Sequence, residues 1–222
     1  MTVSRLKAHS RTLAFISDIH GHAEALEQVL AELAEQPDIG AIVAAGDHFL
    51  GGPEPMRVWQ QLQSAKVQCV QGLSDQALAG VDVSEVVVED AAQAERLNAF
   101  VETRQALGEL VLERIRRLPR QVRLPLVNGA EVLVVHGSPA DPLQEMNHVM
   151  DDEELNALIG DDPADVVVCG ASHIPFSRLI GEVMIAGVGS VGEAPEGALA
   201  HYTLLRPHAD RNEVEHRYVT LR

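Results

Sequence analysis

The sequence is poor in aromatic residues and in cysteine, and each shortage limits how the fold can be stabilised. Aromatic residues make up 3% of the 222 positions, so a core must be built mainly from Val, Leu, Ile and Ala within a hydrophobic fraction of 46%. The two cysteines, Cys69 and Cys169, both lie inside apolar runs. This position predicts buried thiols and argues against a small domain held together by disulfides.

Basic residues are also scarce, since 17 Lys and Arg stand against 33 Asp and Glu and give a net charge of −16. Such a chain repels polyanions, which argues against nucleic acid or an anionic membrane surface as a partner. No apolar run approaches the ~18 residues of a membrane span, and no leader with a cleavage site opens the chain. A cytoplasmic location is therefore expected, while the oligomeric state stays open.

The first third of the chain alternates short apolar runs with helical patterns. Strands are predicted at 12–17, 40–45 and 67–70, and helices with apolar residues at helical spacing are predicted at 22–36 and 54–64. This β-α-β-α-β alternation is typical of a parallel sheet with helices on its faces.

The middle of the chain has a different character. Residues 85–118 carry no strand-like alternation and predict one or two helices, which form either a cap over a site or, as we favour, an outer layer. Asn128-Gly129 between two apolar runs predicts a β-hairpin. The remaining predicted elements are a helix at 151–159, a buried strand at 165–169, and antiparallel strands near 178–180, 183–186, 198–205 and 214–221. We expect all 222 residues to form a single domain.

Four of the apolar runs end on residues that can bind a cation. Asp18 and His20 follow the first strand two positions apart, so in an extended chain their side chains point to the same face. Asp47, His136 and His173 follow three later runs. In open α/β sheets, ligands bind beyond the carboxyl ends of the strands, and a mixture of carboxylates and imidazoles suits a divalent transition ion. We therefore predict that these five residues meet in one metal-binding pocket.

The order of these motifs resembles that of the calcineurin-like metallophosphoesterases. The resemblance is carried by Asp18-Ile19-His20-Gly21, Gly46-Asp47, Gly72-Leu73-Ser74-Asp75, His136-Gly137-Ser138-Pro139, Gly170-Ala171-Ser172-His173 and Gly189-Ser190-Val191-Gly192. The stretch Gly52-Pro53-Glu54-Pro55 is similar to the bacterial small-phosphoesterase branch. The resemblance extends from about residue 12 to residue 222. It implies an α/β fold in which two mixed β-sheets form a two-layer sandwich flanked by helices.

The resemblance also implies two divalent ions bridged by an aspartate. One ion would be held by Asp18, His20, Asp47 and His173. The neighbouring ion would share Asp47 and use His136. The chemistry of these side chains leaves the metal open among Mn, Fe, Zn, Co and Ni.

The chain departs from the family's pattern at the second ion. Leu73 stands where relatives have an asparagine ligand, Ala171 where they have a histidine ligand, and Ser74 where they usually have a further histidine. Neither Leu73 nor Ala171 offers a donor atom, so we expect one firmly bound ion and a degenerate second position. The candidate catalytic residues that the resemblance and the neighbouring sequence indicate are His136, Asp75, His22 and His48.

Two functions are compatible with these residues. The favoured one is a metal-dependent phosphoesterase that hydrolyses a small phosphomonoester or phosphodiester with metal-activated water. The alternative is a binding protein on the same scaffold, which recognises a phosphorylated ligand or a protein partner with little or no catalysis. A serine hydrolase based on Ser138 is disfavoured, because the residues around it lack the Gly-x-Ser-x-Gly elbow.

Overall fold

A computed structural model describes residues 8–222, in which helices and strands alternate from residue 12 to residue 80 and the last five elements are all strands. The strands are β1 (Thr12–Ile16), β2 (Ile39–Ala44), β3 (Gln68–Cys69), β4 (Gln121–Pro125), β5 (Glu131–Val135), β6 (Val166–Cys169), β7 (Phe176–Ile180), β8 (Val183–Gly187), β9 (Leu199–Pro207) and β10 (Asn212–Thr220). The helices are α1 (Ala23–Ala34), α2 (Pro55–Ser64), α3 (Leu73–Gly80), α4 (Ala91–Arg116) and α5 (Asp152–Ile159).

The strands form two mixed sheets of five strands each. The first sheet has the order β10-β9-β1-β2-β3, and the second has the order β4-β5-β6-β8-β7. Strands β1, β2 and β3 run parallel to one another, and so do β5, β6 and β8. The predicted fold class, a two-layer sandwich of mixed sheets flanked by helices, is confirmed. The prediction that the last four strands are antiparallel is wrong for β8, which pairs in parallel with β6 and antiparallel with β7.

Strand β1 shows how the layers are assembled. Leu13 and Phe15 pack in the core between the two sheets, whereas Ala14 and Ile16 join the apolar cluster beneath α1 to α4. Successive side chains of a strand point to opposite faces, so a strand covered on both sides must be apolar at every position. A third cluster lies on the outer face of the second sheet, beneath α5.

The helical segment predicted at 85–118 belongs to the outer layer. The helix itself occupies Ala91–Arg116, and Gly108, with φ 71° and ψ 162°, divides it into two consecutive helices. Its buried apolar side chains join the cluster beneath the other helices of the first sheet: Leu107, Leu112 and Ile115. No residue of this segment lines the metal-binding cavity described below, so within residues 8–222 it does not act as a cap.

Sequence reasoning missed α3, which begins inside the motif Gly72–Asp75. Gly72 is the N-cap residue, and its N–H donates to Oδ2 of Asp75 at 3.0 Å. Helix α3 begins after a glycine and buries one bulky apolar side chain, so it lacks the acidic N-cap and the apolar face that mark α5, a helix of the same length. The motif was therefore interpreted only as the loop that ends a strand.

The two cysteines behave as the sequence predicts. Cys69 and Cys169 are buried free thiols, and burial raises the pKa of Cys169 to about 12. Among the helices of the described chain, none is long and apolar enough to cross a membrane.

Candidate metal centre

The five residues predicted to bind metal lie at one edge of the molecule, where parallel strands of both sheets end. Strands β1, β2, β5 and β6 lead into the loops that supply them. They form two overlapping groups, and within each group the potential ligand atoms all lie within 4.8 Å of one another. The first group is Asp18, His20 and His173, and the second is Asp18, Asp47 and His136. The structure therefore brings together all five residues that the sequence indicated.

The division into groups differs from the one that the family resemblance implies. That resemblance placed Asp47 with the first ion and made it the shared ligand, whereas Asp18 is common to both groups here. Asp18 is fully buried between the two groups. Asp47 instead directs Oδ2 towards His136, whose Nε2 lies 3.4 Å away.

Four of the five residues have a left-handed backbone. The φ angles are 53° at Asp18, 49° at His20, 53° at Asp47 and 58° at His173. This conformation is uncommon for residues other than glycine and costs on the order of 1–3 kcal/mol each. Strain of this kind persists where neighbouring contacts impose it, and it concentrates at functional sites.

Backbone hydrogen bonds between the loops impose these conformations. The N–H of Asp18 donates to the carbonyl of Gly46 at 3.0 Å, and the N–H of His20 donates to the carbonyl of Asp47 at 3.0 Å. The N–H of Gly192, in the loop after β8, donates to the carbonyl of Asp18 at 3.0 Å. Because three loops are linked in this way, the side chains are held in place by the fold itself.

Two glycines leave the space that the ligands occupy. A Cβ atom at Gly72 would lie 2.1 Å from Oδ1 of Asp47. A Cβ atom at Gly46, where φ is +105°, would lie 2.6 Å from Nδ1 of His136. Any larger residue at either position would therefore displace a candidate ligand.

Each imidazole is oriented by a backbone carbonyl. Nδ1 of His20 donates to the carbonyl of Leu50 at 2.7 Å. Nδ1 of His136 donates to the carbonyl of Ala45 at 2.9 Å, and Nδ1 of His173 donates to that of Glu193 at 3.1 Å. Because a carbonyl only accepts, Nδ1 carries the proton and Nε2 of the neutral ring keeps its lone pair. Metal-ligating histidines are typically held by a hydrogen bond of this kind.

The first group has the donor geometry of a cation site. Oδ1 of Asp18 is buried and has no hydrogen-bond partner within the described chain. It lies 3.3 Å from Nε2 of His173 and 3.7 Å from Nε2 of His20, and these two nitrogens are 3.3 Å apart. A buried carboxylate oxygen without a hydrogen-bond partner is costly. One divalent ion among the three atoms would satisfy all of them, so the residues fit such an ion.

The electrostatics of the site favour positive charge. Burial alone would raise the pKa of Asp18, but His173 and His20 hold that pKa well below its usual range. Burial alone would lower the pKa of His20, but Asp18 raises it to about 9. In the same way, Asp47 outweighs burial and raises the pKa of His136 to about 9. Without a metal ion, protons on the imidazoles supply the charge that the carboxylates attract.

The second group is less complete as a metal site. Oδ1 of Asp47 accepts a hydrogen bond from the N–H of Ser74 at 2.9 Å, and Oδ2 of Asp18 accepts one from the N–H of Ala171 at 3.1 Å. Leu73 and Ala171 line the cavity beside this group and offer no side-chain donor. Three protein ligands, two of them already hydrogen-bonded, fit only a weakly held ion.

One acidic residue beside the first group was missed by sequence reasoning. Oε2 of Glu193 lies 3.8 Å from Nε2 of His20, and the backbone carbonyl of Glu193 orients His173. The signal available in the sequence was the glycine turn that ends at Gly192, directly before it. Glu193 therefore adds a further carboxylate to the surroundings of the first group.

His48 and Asp75 do not reach the cavity, in contrast to the catalytic position expected for them. Both are fully buried, and Nδ1 of His48 lies 2.6 Å from Oδ2 of Asp75. Oδ1 of Asp75 accepts a hydrogen bond from the N–H of His48 at 3.0 Å. The pair joins the loop that carries Asp47 to the first turn of α3. Its position is suited to holding the site together, and a substrate has no access to either side chain.

His22 and His136 occupy different places. His22 is the N-cap residue of α1 and lines a separate depression together with Glu54 and Arg222. His136 lines the metal-binding cavity itself, which has a volume of about 220 Å³. Of the four candidate catalytic residues, His136 alone is among those lining this cavity in the described structure.

Solved structures of similar fold include one protein from an archaeon and two from bacteria. A hypothetical protein from Pyrococcus horikoshii OT3 has a TM-score of 0.77 at 19% identity, and the match covers 95% of this chain and 87% of the Pyrococcus protein. A metallophosphoesterase from Sphaerobacter thermophilus has a TM-score of 0.74 at 22% identity, covering 96% and 90%. The E. coli phosphoesterase Yfce has a TM-score of 0.52 at 20% identity, covering 95% and 100%. At these identities the likeness shows the fold.

The sequence itself supplies the assignment to a family. None of the curated proteins matches the chain. The calcineurin-like phosphoesterase superfamily domain matches residues 12–210, which include all five candidate ligands. The resemblance noted in the motifs is thereby confirmed, and the chain belongs to the calcineurin-like phosphoesterase superfamily.

Proposed function

We propose that this protein is a metal-dependent phosphoesterase that hydrolyses a small phosphomonoester or phosphodiester with one firmly bound divalent ion. The observation that carries the proposal is the unpartnered Oδ1 of Asp18, which is buried beside Nε2 of His20 and Nε2 of His173. The net charge of −16 favours a small substrate over a nucleic acid. A cytoplasmic location is part of the same proposal.

The roles of the residues follow from their positions. When bound, a divalent ion supplies a Lewis acid and lowers the pKa of coordinated water. Asp18, His20 and His173 would hold the ion. The Nδ1 atoms of His20 and His173 donate to backbone carbonyls, which keeps both imidazoles in the ligating orientation. Asp18 and His20 are buried, which limits competing water and strengthens electrostatic interactions around them, whereas His173 is partly exposed.

His136 takes the place of the missing second ion in this proposal. Its pKa of about 9 leaves Nε2 protonated at neutral pH, while Nδ1 donates to the carbonyl of Ala45. The imidazolium therefore presents an N–H and a positive charge to the cavity. It can donate to a phosphoryl oxygen and can transfer the Nε2 proton to the departing oxygen. Asp47, 3.4 Å away, keeps this ring charged.

A catalytically weak binding protein is the second candidate function. It is favoured by Leu73 and Ala171, which leave the second group without two of the donors expected in the family. On this alternative, the chain binds a phosphorylated ligand or a protein partner and hydrolyses it slowly or not at all. The two candidates differ in turnover, which one assay measures.

The test is hydrolysis by the purified chain loaded with Mn²⁺, using aryl phosphate monoesters and diesters. The phosphoesterase proposal expects turnover that depends on added metal, with about one ion per chain by elemental analysis. The matched control is Asp47→Asn, which keeps the shape of the side chain and removes its charge. We expect this variant to be slower by ~10², the scale for losing one electrostatic group. Wild-type turnover no faster than that of Asp47→Asn would support the binding protein instead.

A further inference from the structure

A second cavity opens beside the metal-binding cavity. It has a volume of about 360 Å³, and four residues line both spaces: Leu73, His136, Pro142 and Leu143. A volume of this size lies within the range of small-molecule pockets, roughly 300–1,000 Å³. None of the first-group ligands lines this cavity, so it extends beyond the centre where the phosphoryl group would react.

Apart from His136, the residues shared by the two cavities are apolar and exposed. Leu73, at the start of α3, is 49% exposed, and Leu143, in the loop after β5, is 67% exposed. Leucine side chains left in water at a cavity mouth favour contact with the apolar part of a ligand. The same leucine that removes a metal ligand from the second group therefore adds an apolar surface beside it.

Arg120 brings a positive charge to this second cavity. It is the one Lys or Arg among the described residues that line either cavity. Its guanidinium forms no ion pair or hydrogen bond with residues 8–222, whereas Arg57, Arg123 and Arg178 are all paired with carboxylates. An exposed guanidinium in a chain of net charge −16 is thus left available for an anion.

Two backbone contacts of its neighbours in the chain position Arg120 near His136. The carbonyl of Pro119 accepts a hydrogen bond from the N–H of Gln71, at the end of β3, at 2.8 Å. Gln121 pairs with Val135 in the antiparallel register of β4 and β5. Continuing that register by one residue places Arg120 opposite His136.

The acidic residue that lines this cavity is Asp141. Its Oδ1 accepts a hydrogen bond from the N–H of Leu143 at 2.9 Å, within its own loop. The carboxylate is therefore engaged in shaping the loop. Within residues 8–222, this leaves the guanidinium of Arg120 without a partner.

We propose that the second cavity binds the leaving group of the phosphoester, and that Arg120 recognises an anionic substituent on that group. The substrate class is a phosphate ester of a compact alcohol or phenol with an apolar body and a carboxylate or second phosphate. On hydrolysis, the bond between phosphorus and the leaving oxygen breaks and the oxygen of water bonds to phosphorus. The leaving oxygen departs as a hydroxyl group with a proton supplied by the attacking water. This inference rests on the proposed phosphoesterase function.

The first experiment compares an anionic substrate with its neutral analogue. The ratio of kcat/KM for 4-carboxyphenyl phosphate to that for 4-carbamoylphenyl phosphate is measured with the Mn²⁺-loaded chain. In Arg120→Gln this ratio should fall about tenfold, the scale of one charge-assisted hydrogen bond. The matched control is Arg96→Gln, which removes an exposed arginine from α4 outside both cavities and should leave the ratio unchanged. An unchanged ratio in Arg120→Gln overturns the proposal.

A second substrate distinguishes the two anionic substituents. The 1,4-bisphosphate of hydroquinone replaces the carboxylate by a phosphate at the same distance. If Arg120→Gln lowers kcat/KM more for the bisphosphate, the anionic substituent is a second phosphate. If it lowers kcat/KM more for the carboxylate substrate, the substituent is a carboxylate. The apolar contact is tested with Leu143→Ser, which should raise KM for the aryl esters about fivefold relative to glycerol 2-phosphate.

A binding measurement separates the failure of this inference from the failure of the proposed function. If bis(4-nitrophenyl) phosphate and the aryl monoesters all resist hydrolysis, the phosphoesterase proposal fails. Calorimetry with 4-hydroxybenzoate, the alcohol released from the anionic substrate, still tests the cavity. Binding that weakens about tenfold in Arg120→Gln supports the assignment of the cavity. Equal binding by the wild type and this variant contradicts it.

Discussion

The two metal groups share Asp18 but differ in how far the protein already satisfies their donor atoms. In the first group, Oδ1 of Asp18 has no hydrogen-bond partner within residues 8–222, and the Nε2 atoms of His20 and His173 lie 3.3 Å apart. In the second group, Oδ1 of Asp47 and Oδ2 of Asp18 each accept a backbone N–H. Similar residue types can therefore form one site that requires a cation and another that is nearly satisfied without one.

The largest expected effect comes from removing one imidazole from each group. His20→Ala should lower Mn²⁺ affinity by ~10² or more, because removing only a hydrogen-bond partner of a metal ligand already costs about 10–100-fold. Activity should fall together with the affinity. His136→Ala should keep the bound ion and slow turnover by ~10². Elemental analysis and steady-state kinetics at saturating metal measure the two effects. Equal loss of metal in both variants would remove the distinction between the groups.

Restoring the two missing ligands of the second group should narrow the difference in ion affinity between the two groups. Leu73→Asn with Ala171→His replaces two residues without donors by the ligands found in relatives. Ala171 already has φ 65°, a conformation that histidine tolerates better than most residues. We expect two ions per chain and a rate about tenfold higher, because two ions stabilise the transition state better than one.

The control for this double variant is Leu73→Asn alone, which adds one donor. A second bound ion with unchanged activity would contradict the role that we assign to the missing ion. If the wild type is the slow binding protein, the double variant should create hydrolysis from a very low baseline. The ratio of the two rates therefore separates the candidate functions.

The pH dependence of metal binding is expected to be strong at the first group. Asp18 raises the pKa of His20 to about 9, so below that pH the ring of the metal-free protein carries a proton that a metal ion must displace. Affinity for Mn²⁺ should therefore rise with pH by about tenfold per unit for each proton released, and level off above about 9. Calorimetry in buffers of different ionisation enthalpy counts the protons. An affinity independent of pH would show that the imidazoles are neutral before binding.

The smallest expected effect concerns Glu193. Its carboxylate is near the first group only, at 3.8 Å from Nε2 of His20, and is partly exposed. Glu193→Gln should weaken Mn²⁺ binding about threefold, as expected for one screened charge. Glu182→Gln removes an exposed acid elsewhere and controls for net charge. The same loss in both variants would mean that Glu193 acts only through the overall charge.

Much of the fold could be predicted from the sequence because its signals are local. The apolar runs that became β1 and β2 and the helical spacing of α1 and α2 depend on neighbouring residues alone. The short helix α3 escaped detection because it follows a glycine and buries one bulky apolar side chain, whereas α5, of equal length, has an acidic N-cap and an apolar face. The parallel pairing of β8 with β6 joins segments separated in the chain, so no local pattern could show it.

The candidate site shows the same limit. The positions of Asp18, His20, Asp47, His136 and His173 at strand ends were sufficient to predict that they meet. Residue types could not show that His48 and Asp75 pair in the interior, because burial depends on what packs around them. Glu193 and Arg120 carry no motif of their own, and only the folded chain brings them beside the cavities.

By itself, the sequence determined the fold class, the family and the five residues that meet at the sheet edge, because alternation and motif order are properties of the chain. Tertiary structure alone decided which carboxylate is shared, which oxygen lacks a partner and which arginine faces a cavity. These properties depend on distances between atoms from loops far apart in the sequence, and such distances exist only after both sheets have packed together.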